Sequence, residues 1–354
     1  MLRDQSNTKN DIPENSFDVL ITGGAGFIGS HLTERLLQRG HRVCVLDNLS
    51  SASQSNIQSL LPMPAFRFVH GSVTDRALMR PLIDEADVIY HLASPVGVEL
   101  VIADPAKAID TNVHGTETVL QLAAPGRKRV LITSTSEVYG RRHQIPFHEA
   151  DDLIIGPPDS GRWSYACSKL LDEFLALSYW KQQGVPVVVV RPFNVVGPRQ
   201  SARHGMVVPT LIEQALSGQK MTVFGDGSLR RCLTHVKDVV TGFIALAEHP
   251  EAIGQVYNIG STNEISMIDL AQRIKTLSGS SSQIEIISYD RVFTRSGGDM
   301  LRRVPDLTKI HKLTGYTPTY AIDDILRDTI AHNRSQQSTA AARLSARAFG
   351  ETVA

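Results

Sequence analysis

The sequence predicts an α/β fold, a doubly wound parallel sheet with a smaller, discontinuous C-terminal lobe, and three observations predict it. Short runs of β-branched and other apolar residues alternate with longer helical stretches. Glycines 23, 24, 26 and 29 fall between the first such run and the first helix, and the next run ends in a carboxylate, Asp47. Together they describe a Rossmann-type arrangement.

The elements follow in order. FDVLIT is almost continuously apolar, as a strand covered on both faces must be. IGSHLTERLLQRG has helical spacing, and HRVCVLD is the second strand. FRFVHG and DVIYHLA are the third and fourth strands, with the helical RALMRPLIDEA between them. A helix near Ala106 to Ala124 precedes the strand in KRVLITSTS. After a loop from Gly156 to Gly161 comes a long helix from about Trp163 to Gln182, then one more strand, PVVVVRPFNVVG. The less regular stretch from Pro198 to Asp226 and the residues after Ile287 interleave with VKDVVTGFIALAEH and VYNIG, which predicts a lobe built from separated pieces. The expected division is a disordered leader over 1–16, a dinucleotide-binding domain over 17–197 with returns near 232–260, a substrate-binding lobe mostly over 198–330, and a flexible tail over 331–354.

Composition narrows the function. The chain has 354 residues, 42% of them apolar, and 36 basic side chains balance 36 acidic ones. That excludes disorder as the main state, and the missing basic surplus argues against a nucleic-acid partner. No apolar run approaches the roughly 18 residues of a membrane span, so no membrane association is expected. Cys44, Cys167 and Cys232 are too scattered for a disulfide framework or a zinc site, and they suit a reducing, cytoplasmic location. None of the twelve histidines lies in a ligand spacing such as His-Glu-x-x-His, so no metal is expected.

Two constellations carry chemistry. Gly23, Gly26 and Gly29 can make a tight turn, admit a pyrophosphate to the backbone, and let helix and strand pack closely. Asp47 stands 21 residues beyond Gly26, where a carboxylate bonds ribose hydroxyls and repels a 2′-phosphate, which favours NAD over NADP. Tyr165 and Lys169 are four residues apart on one face of the long helix, so a cation near the phenol lowers its pKa and fits it to take an alcohol proton. Ser134-Thr-Ser-Glu-Val-Tyr-Gly140 follows an apolar strand, which puts its hydroxyls and Glu137 at the carboxyl end of the sheet, where such folds bind ligands.

With TGGAGFIGSH, Asp47-Asn48, the STSEVYG run, Tyr165-x-x-x-Lys169, Arg191-Pro-Phe-Asn194, Arg231 and Arg303-x-Pro-Asp306, residues 17 to 330 resemble the extended short-chain dehydrogenase/reductases that act on nucleotide sugars as epimerases, dehydratases and decarboxylases. The resemblance implies Tyr165 as base, Lys169 also on the nicotinamide ribose, and Thr135 on the sugar O4. It adds Phe27, Ile28, Asn48, Ser72, Val73, Leu92, Ala93 and Asn112 to the cofactor site. Asn194, Val208, Phe224, Arg231 and Arg303 would face a UDP-sugar, and a homodimer would form through the helix of Tyr165 and the one near Ala106.

Family members share an opening oxidation at C4 and then diverge. Thr135-Ser136-Glu137 resembles the UDP-glucuronate decarboxylases, in which a C4 ketone makes the C5 carboxylate a β-keto acid. Arg303 with Ser136 would then anchor the carboxylate, and Glu137 would stand near C5. The loop from Ser94 to Leu100 carries only Glu99 as a charge, the wrong sign to hold a carboxylate, which leaves UDP-sugar 4-epimerisation as the alternative.

Overall fold

The computed structural model describes residues 16–95, 97, 101, 103–158, 161–203, 205–288 and 300–350, with the side chains of 162 and 339–350 outside that description. The leader read over 1–16 lies outside it up to residue 15, and so do Val96 and residues 98–100 of the loop that carries Glu99.

Seven parallel strands form the central sheet: β1 (Asp18–Thr22), β2 (Arg42–Asp47), β3 (Phe66–His70), β4 (Val88–His91), β5 (Arg129–Thr133), β6 (Val187–Pro192) and β11 (Gln255–Ile259). Their spatial order is β11-β6-β5-β4-β1-β2-β3. The order reverses between β1 and β4, which opens a crevice at their carboxyl ends, the usual ligand position in such sheets. The inner strands β1, β4, β5 and β6 are buried on both faces, β6 with five consecutive buried residues, which explains their near-continuous apolar runs, whereas the edge strand β3 is only partly covered.

Helices cover both faces: α1 (Phe27–Gln38), α2 (Arg76–Glu85), α3 (Pro105–Ala123), α4 (Arg162–Gln183) and, further along the chain, α6 (Val236–Glu248). One apolar cluster joins β1 and β2 to α1 and α6 through Leu32, Leu36, Val239 and Phe243. The other face is sealed by Met79, Ile83, Val119, Leu120 and Ala176.

The smaller lobe holds α5 (Val207–Leu216), α7 (Met267–Ser278), α9 (Ile322–Gly350) and short strands, whereas α8 (Thr308–Thr314) packs through Ile310 on the core of the central-sheet domain. These are β7 (Val195–Val196), β8 (Met221–Phe224), β9 (Arg230–Cys232), β10 (Thr234–His235), β12 (Glu264–Ser266) and β13 (Ile284–Ile287). They pair as β10 with β7, β12 with β9, and β13 with β8. Leu211, Ile212, Leu270, Ile274, Ile325 and Leu326 form its core.

One local expectation is corrected. PVVVVRPFNVVG is not one strand. It breaks between β6 and β7, where Asn194 takes a φ of 35°, a region that asparagine tolerates better than most residues. Beyond residue 331 the backbone stays helical, α9 continuing through Gly350, in keeping with the helix-forming STAAARLSARA composition of that stretch.

Candidate active site

The glycine turn lies where β1 feeds α1. A Cβ on Gly23, whose φ is +73°, would sit 2.8 Å from the Ala93 amide nitrogen, and one on Gly29 would sit 2.3 Å from the Gly23 carbonyl oxygen. Backbone therefore occupies the space a side chain would need. No side chain caps the N-terminus of α1, and its first turn holds no acidic residue, so the amides of Phe27 and Ile28 suit an anion. Asp47 ends β2 beside them, 8% exposed. Its Oδ2 accepts from the Ala25 amide at 3.0 Å and its Oδ1 from the Leu49 amide at 2.8 Å. Burial pushes its carboxyl up, against the pull of those backbone donors. A carboxylate has about four lone pairs, so acceptor capacity is left for ribose hydroxyls. The turn, the open helix end and the acceptor carboxylate fit a dinucleotide.

The other cofactor candidates ring the same crevice. Asn48 is exposed, and Oδ1 accepts from the Ser50 amide at 3.0 Å. Ser72 hydrogen-bonds Thr74 just past β3, and Val73 is buried, packed so that a Cβ on Gly115 would lie 2.7 Å from it. Leu92 and Ala93 follow β4, with the Ala93 amide donating to Thr22 Oγ1 at 3.3 Å.

The catalytic candidates meet where α3 and α4 pack together. Asn112 of α3 is fully buried, donates to Ser168 Oγ at 2.9 Å and accepts from Ser94 Oγ at 2.8 Å. Ser168 Oγ in turn donates to the Tyr165 carbonyl at 2.9 Å. Tyr165 is partly exposed and Lys169 is 1% exposed. The cation that the spacing puts at the service of the phenol is held elsewhere: Lys169 Nζ donates to Asp172 Oδ2 at 2.8 Å. Burial raises the Tyr165 phenol above the ordinary tyrosine range, the Glu137 carboxylate and Asp172 add to the rise, and the Ser94 and Thr135 hydroxyls oppose it. The lowered phenol pKa expected from the spacing is thus corrected. Desolvation outweighs a cation whose charge is met by its own carboxylate.

Thr135, Ser136 and Glu137 open a short 3-10 turn after β5, where Thr135 Oγ1 accepts from the Glu137 amide at 3.2 Å. Ser136 is 2% exposed. Arg303 comes from far along the chain: the Phe147 amide donates to the Val304 carbonyl, and the Asp306 amide to the Phe147 carbonyl, each at 2.8 Å. This brings Arg303 Nη1 within 3.3 Å of Glu137 Oε1. Underneath, Tyr139 stacks on Phe147 with centroids 4.7 Å apart, and Val138, Phe193 and Met300 complete the support. Arg191 grips Glu173 at 2.9 and 2.7 Å and donates to the Tyr139 hydroxyl at 3.0 Å, while Ser134 Oγ donates to Glu173. The turn and α4 are therefore tied by buried, charge-assisted bonds.

The sugar-nucleotide candidates are less tightly grouped. Asn194 Nδ2 donates to the Cys232 carbonyl at 3.1 Å. Arg231 is 9% exposed and its Nη1 donates to the Met300 carbonyl at 2.9 Å, which links it to the strand of chain that carries Arg303. Val208 is buried in the lobe core, and Phe224 is partly buried at the end of β8. The structure adds Ser168, Asp172 and Glu173, which the sequence reading passed over, and gives contacts to Ser94 and Arg191, which it named without a role. Asp172 and Glu173 were accessible as the i+3 and i+4 neighbours of Lys169 on one helix. Ser94 and Arg191 are brought in only by tertiary packing. Among the described residues, no group of three His, Cys, Asp or Glu is placed to hold a metal ion.

Fold and site together define a doubly wound dinucleotide-site protein with a Tyr165/Lys169 pair on one helix and an Arg303–Glu137 ion pair close enough for its carboxylate to act on Tyr165. The chain belongs to the family described as GDP-mannose 4,6 dehydratase, which matches residues 20–329, and to the nucleotide-sugar branch of the extended short-chain dehydrogenase/reductases. It is 39% identical over 315 residues to the UDP-N-acetyl-alpha-D-glucosaminuronate decarboxylase of Bacillus cytotoxicus, covering 88% of this chain and 96% of that one. It is 36% identical to UDP-glucuronic acid decarboxylase 1 of Xenopus tropicalis, covering 90% of this chain and 72% of that one. Among solved structures it resembles the UDP-glucuronic acid 4-epimerase of Bacillus cereus, determined with UDP-glucuronic acid and NAD, at 30% identity and a TM-score of 0.80, over 90% of this chain and 99% of that one.

Proposed function

We propose that this protein is an NAD-dependent UDP-glucuronate decarboxylase, and one observation carries the reading: the 3.3 Å ion pair of Arg303 with Glu137, on the turn that also presents Thr135. A simple alcohol oxidation needs no such pair. A uronic acid brings its own carboxylate, which Arg303 can bind in a two-pronged bond in place of Glu137.

Bound NAD, held by the glycine turn and Asp47, supplies acceptance of the C4 hydride and its later return. Tyr165 takes the C4 hydroxyl proton as the hydride leaves, with Thr135 holding O4 and Lys169 on the nicotinamide ribose. The C5 carboxylate is then β to a ketone. Its C–C bond breaks, carbon dioxide leaves, and the electron pair passes into an enolate spread over C5, C4 and O4. Ser136 and Arg303 hold the carboxylate for that step, and Glu137, released from Arg303, stands by C5 where a proton must return. Asn194 and Arg231 serve the UDP moiety, and Phe224 and Val208 shape its surroundings.

The decarboxylases named above support this reading over 4-epimerisation, the chemistry of the Bacillus cereus neighbour. Glu137→Gln and Arg303→Ala test it: both are expected to keep NAD affinity and to lose carbon dioxide release, and normal turnover in either would overturn the assignment. We also infer a homodimer through α3 and α4, where Ile109, Leu171 and Phe174 are 41%, 45% and 63% exposed. A cytoplasmic location is supported by three free cysteines. No helix among the described residues is long and apolar enough to cross a membrane.

A further inference from the structure

We propose that Asp172 is a positioning residue for the catalytic pair: its carboxylate anchors the Lys169 ammonium within the α3–α4 packing and tempers the positive field that Tyr165 feels. The inference rests on the reading of Tyr165 as proton acceptor. Lys169 and Asp172 are 1% and 0% exposed, and their 2.8 Å contact spans one turn of α4. Asp172 Oδ1 is buried and makes no close hydrogen bond of its own, the Thr116 hydroxyl is the further donor near the carboxyl, and burial pushes that carboxyl up against the pull of Lys169. A carboxylate at such depth is costly even with Lys169 and the Thr116 hydroxyl beside it, and a buried ion pair adds little net stability over an apolar pair of similar volume. Folding alone therefore gives no reason for this carboxylate, whereas its place one turn past Lys169 does.

The other groups facing the pair are few. Glu137 comes from the turn after β5 and acts on Tyr165 in the same sense as Asp172. His91 of β4 lies close enough to feel Lys169, and burial keeps its ring neutral, with a pKa pushed down to about 3. Glu173 follows on the same helix but is engaged by Arg191. From α3 come Asn112, bonded to Ser168, and Thr116, whose hydroxyl lies by the Asp172 carboxylate and His91 Nε2, and neither residue titrates. Removing the Asp172 charge stabilises the phenolate, so Tyr165 loses its proton at lower pH.

The test reads Tyr165 directly. Tyrosinate absorbance of the NAD-loaded protein, taken as the difference from its Tyr165→Phe counterpart, gives the phenol's titration without any sugar nucleotide. In Asp172→Asn the midpoint is expected to fall by about one pH unit, and the acid limb of kcat with it. Superimposable titrations overturn the role of Asp172. A shifted titration with an unmoved acid limb overturns instead the reading of Tyr165 as base. If Asp172→Asn does not fold, Asp172→Glu decides, because it keeps the charge but displaces the carboxylate by one methylene. A moved midpoint supports positioning, and an unmoved one overturns it.

Discussion

Replacing Gly29 by alanine tests how the glycine turn admits the cofactor. The added Cβ would lie 2.7 Å from the Gly24 Cα and 2.3 Å from the Gly23 carbonyl oxygen, all of it backbone. Carbon atoms pack at about 3.5 Å, so the turn must retreat from α1 by about 0.8 Å. Overpacking on this scale costs about 1–3 kcal/mol of stability, which leaves the protein folded. The larger effect falls on binding. A retreat of that size stretches an amide-to-phosphate bond of about 2.8 Å to about 3.6 Å, beyond hydrogen-bonding range. Each such bond to a charged group contributes about 1.5–3 kcal/mol. Loss of two weakens NAD binding by at least about 100-fold. Titration calorimetry with NAD measures this, with circular dichroism and thermal melting as the check on folding. Affinity within about threefold of wild type in a folded variant would refute the claim that this turn, through its close packing on α1, receives the pyrophosphate.

Further predictions concern pH and assembly. His91 is 1% exposed, bonded through Nδ1 to Thr22 and through Nε2 to Thr116, and burial pushes its pKa down to about 3. Its unfolded counterpart takes a proton below about 6.5, so stability is complete above that pH and declines as pH falls from 6.5 toward 3. Urea unfolding should show a loss of about 2 kcal/mol between pH 6.5 and 5 that His91→Asn does not share, and parallel pH slopes in the two proteins would contradict it. Phe174→Asp, on the exposed stripe of α4, is expected to convert a dimer to a 38.8 kDa species in light scattering. An unchanged dimer mass would move the interface elsewhere.

Much of the fold was legible because parallel strands buried on both faces leave apolar runs that nothing else in the chain imitates, as VVVV in β6 does. The glycine turn was legible because a backbone-filled space permits no other residue, and Asp47 because strand length fixes where a carboxylate falls. What the sequence could not convey is partnership between distant segments. Nothing local announces that Val304 pairs with Phe147 and so brings Arg303 to Glu137, 166 residues away. The state of Lys169 was half legible: helical spacing placed both Tyr165 and Asp172 within its reach, and packing shows that Asp172 meets its charge. The break at Asn194 was invisible because β-branched residues on both sides of it read as one strand.

The central claim is loss of the sugar carboxylate after oxidation at C4, and it is tested most directly by following UDP-glucuronate with the NAD-loaded protein by mass spectrometry and proton NMR together. A UDP-pentose, or its 4-keto form, lighter than the substrate by the mass of carbon dioxide is expected. A product of unchanged mass with the galacto configuration at C4 would contradict it and make the protein a 4-epimerase.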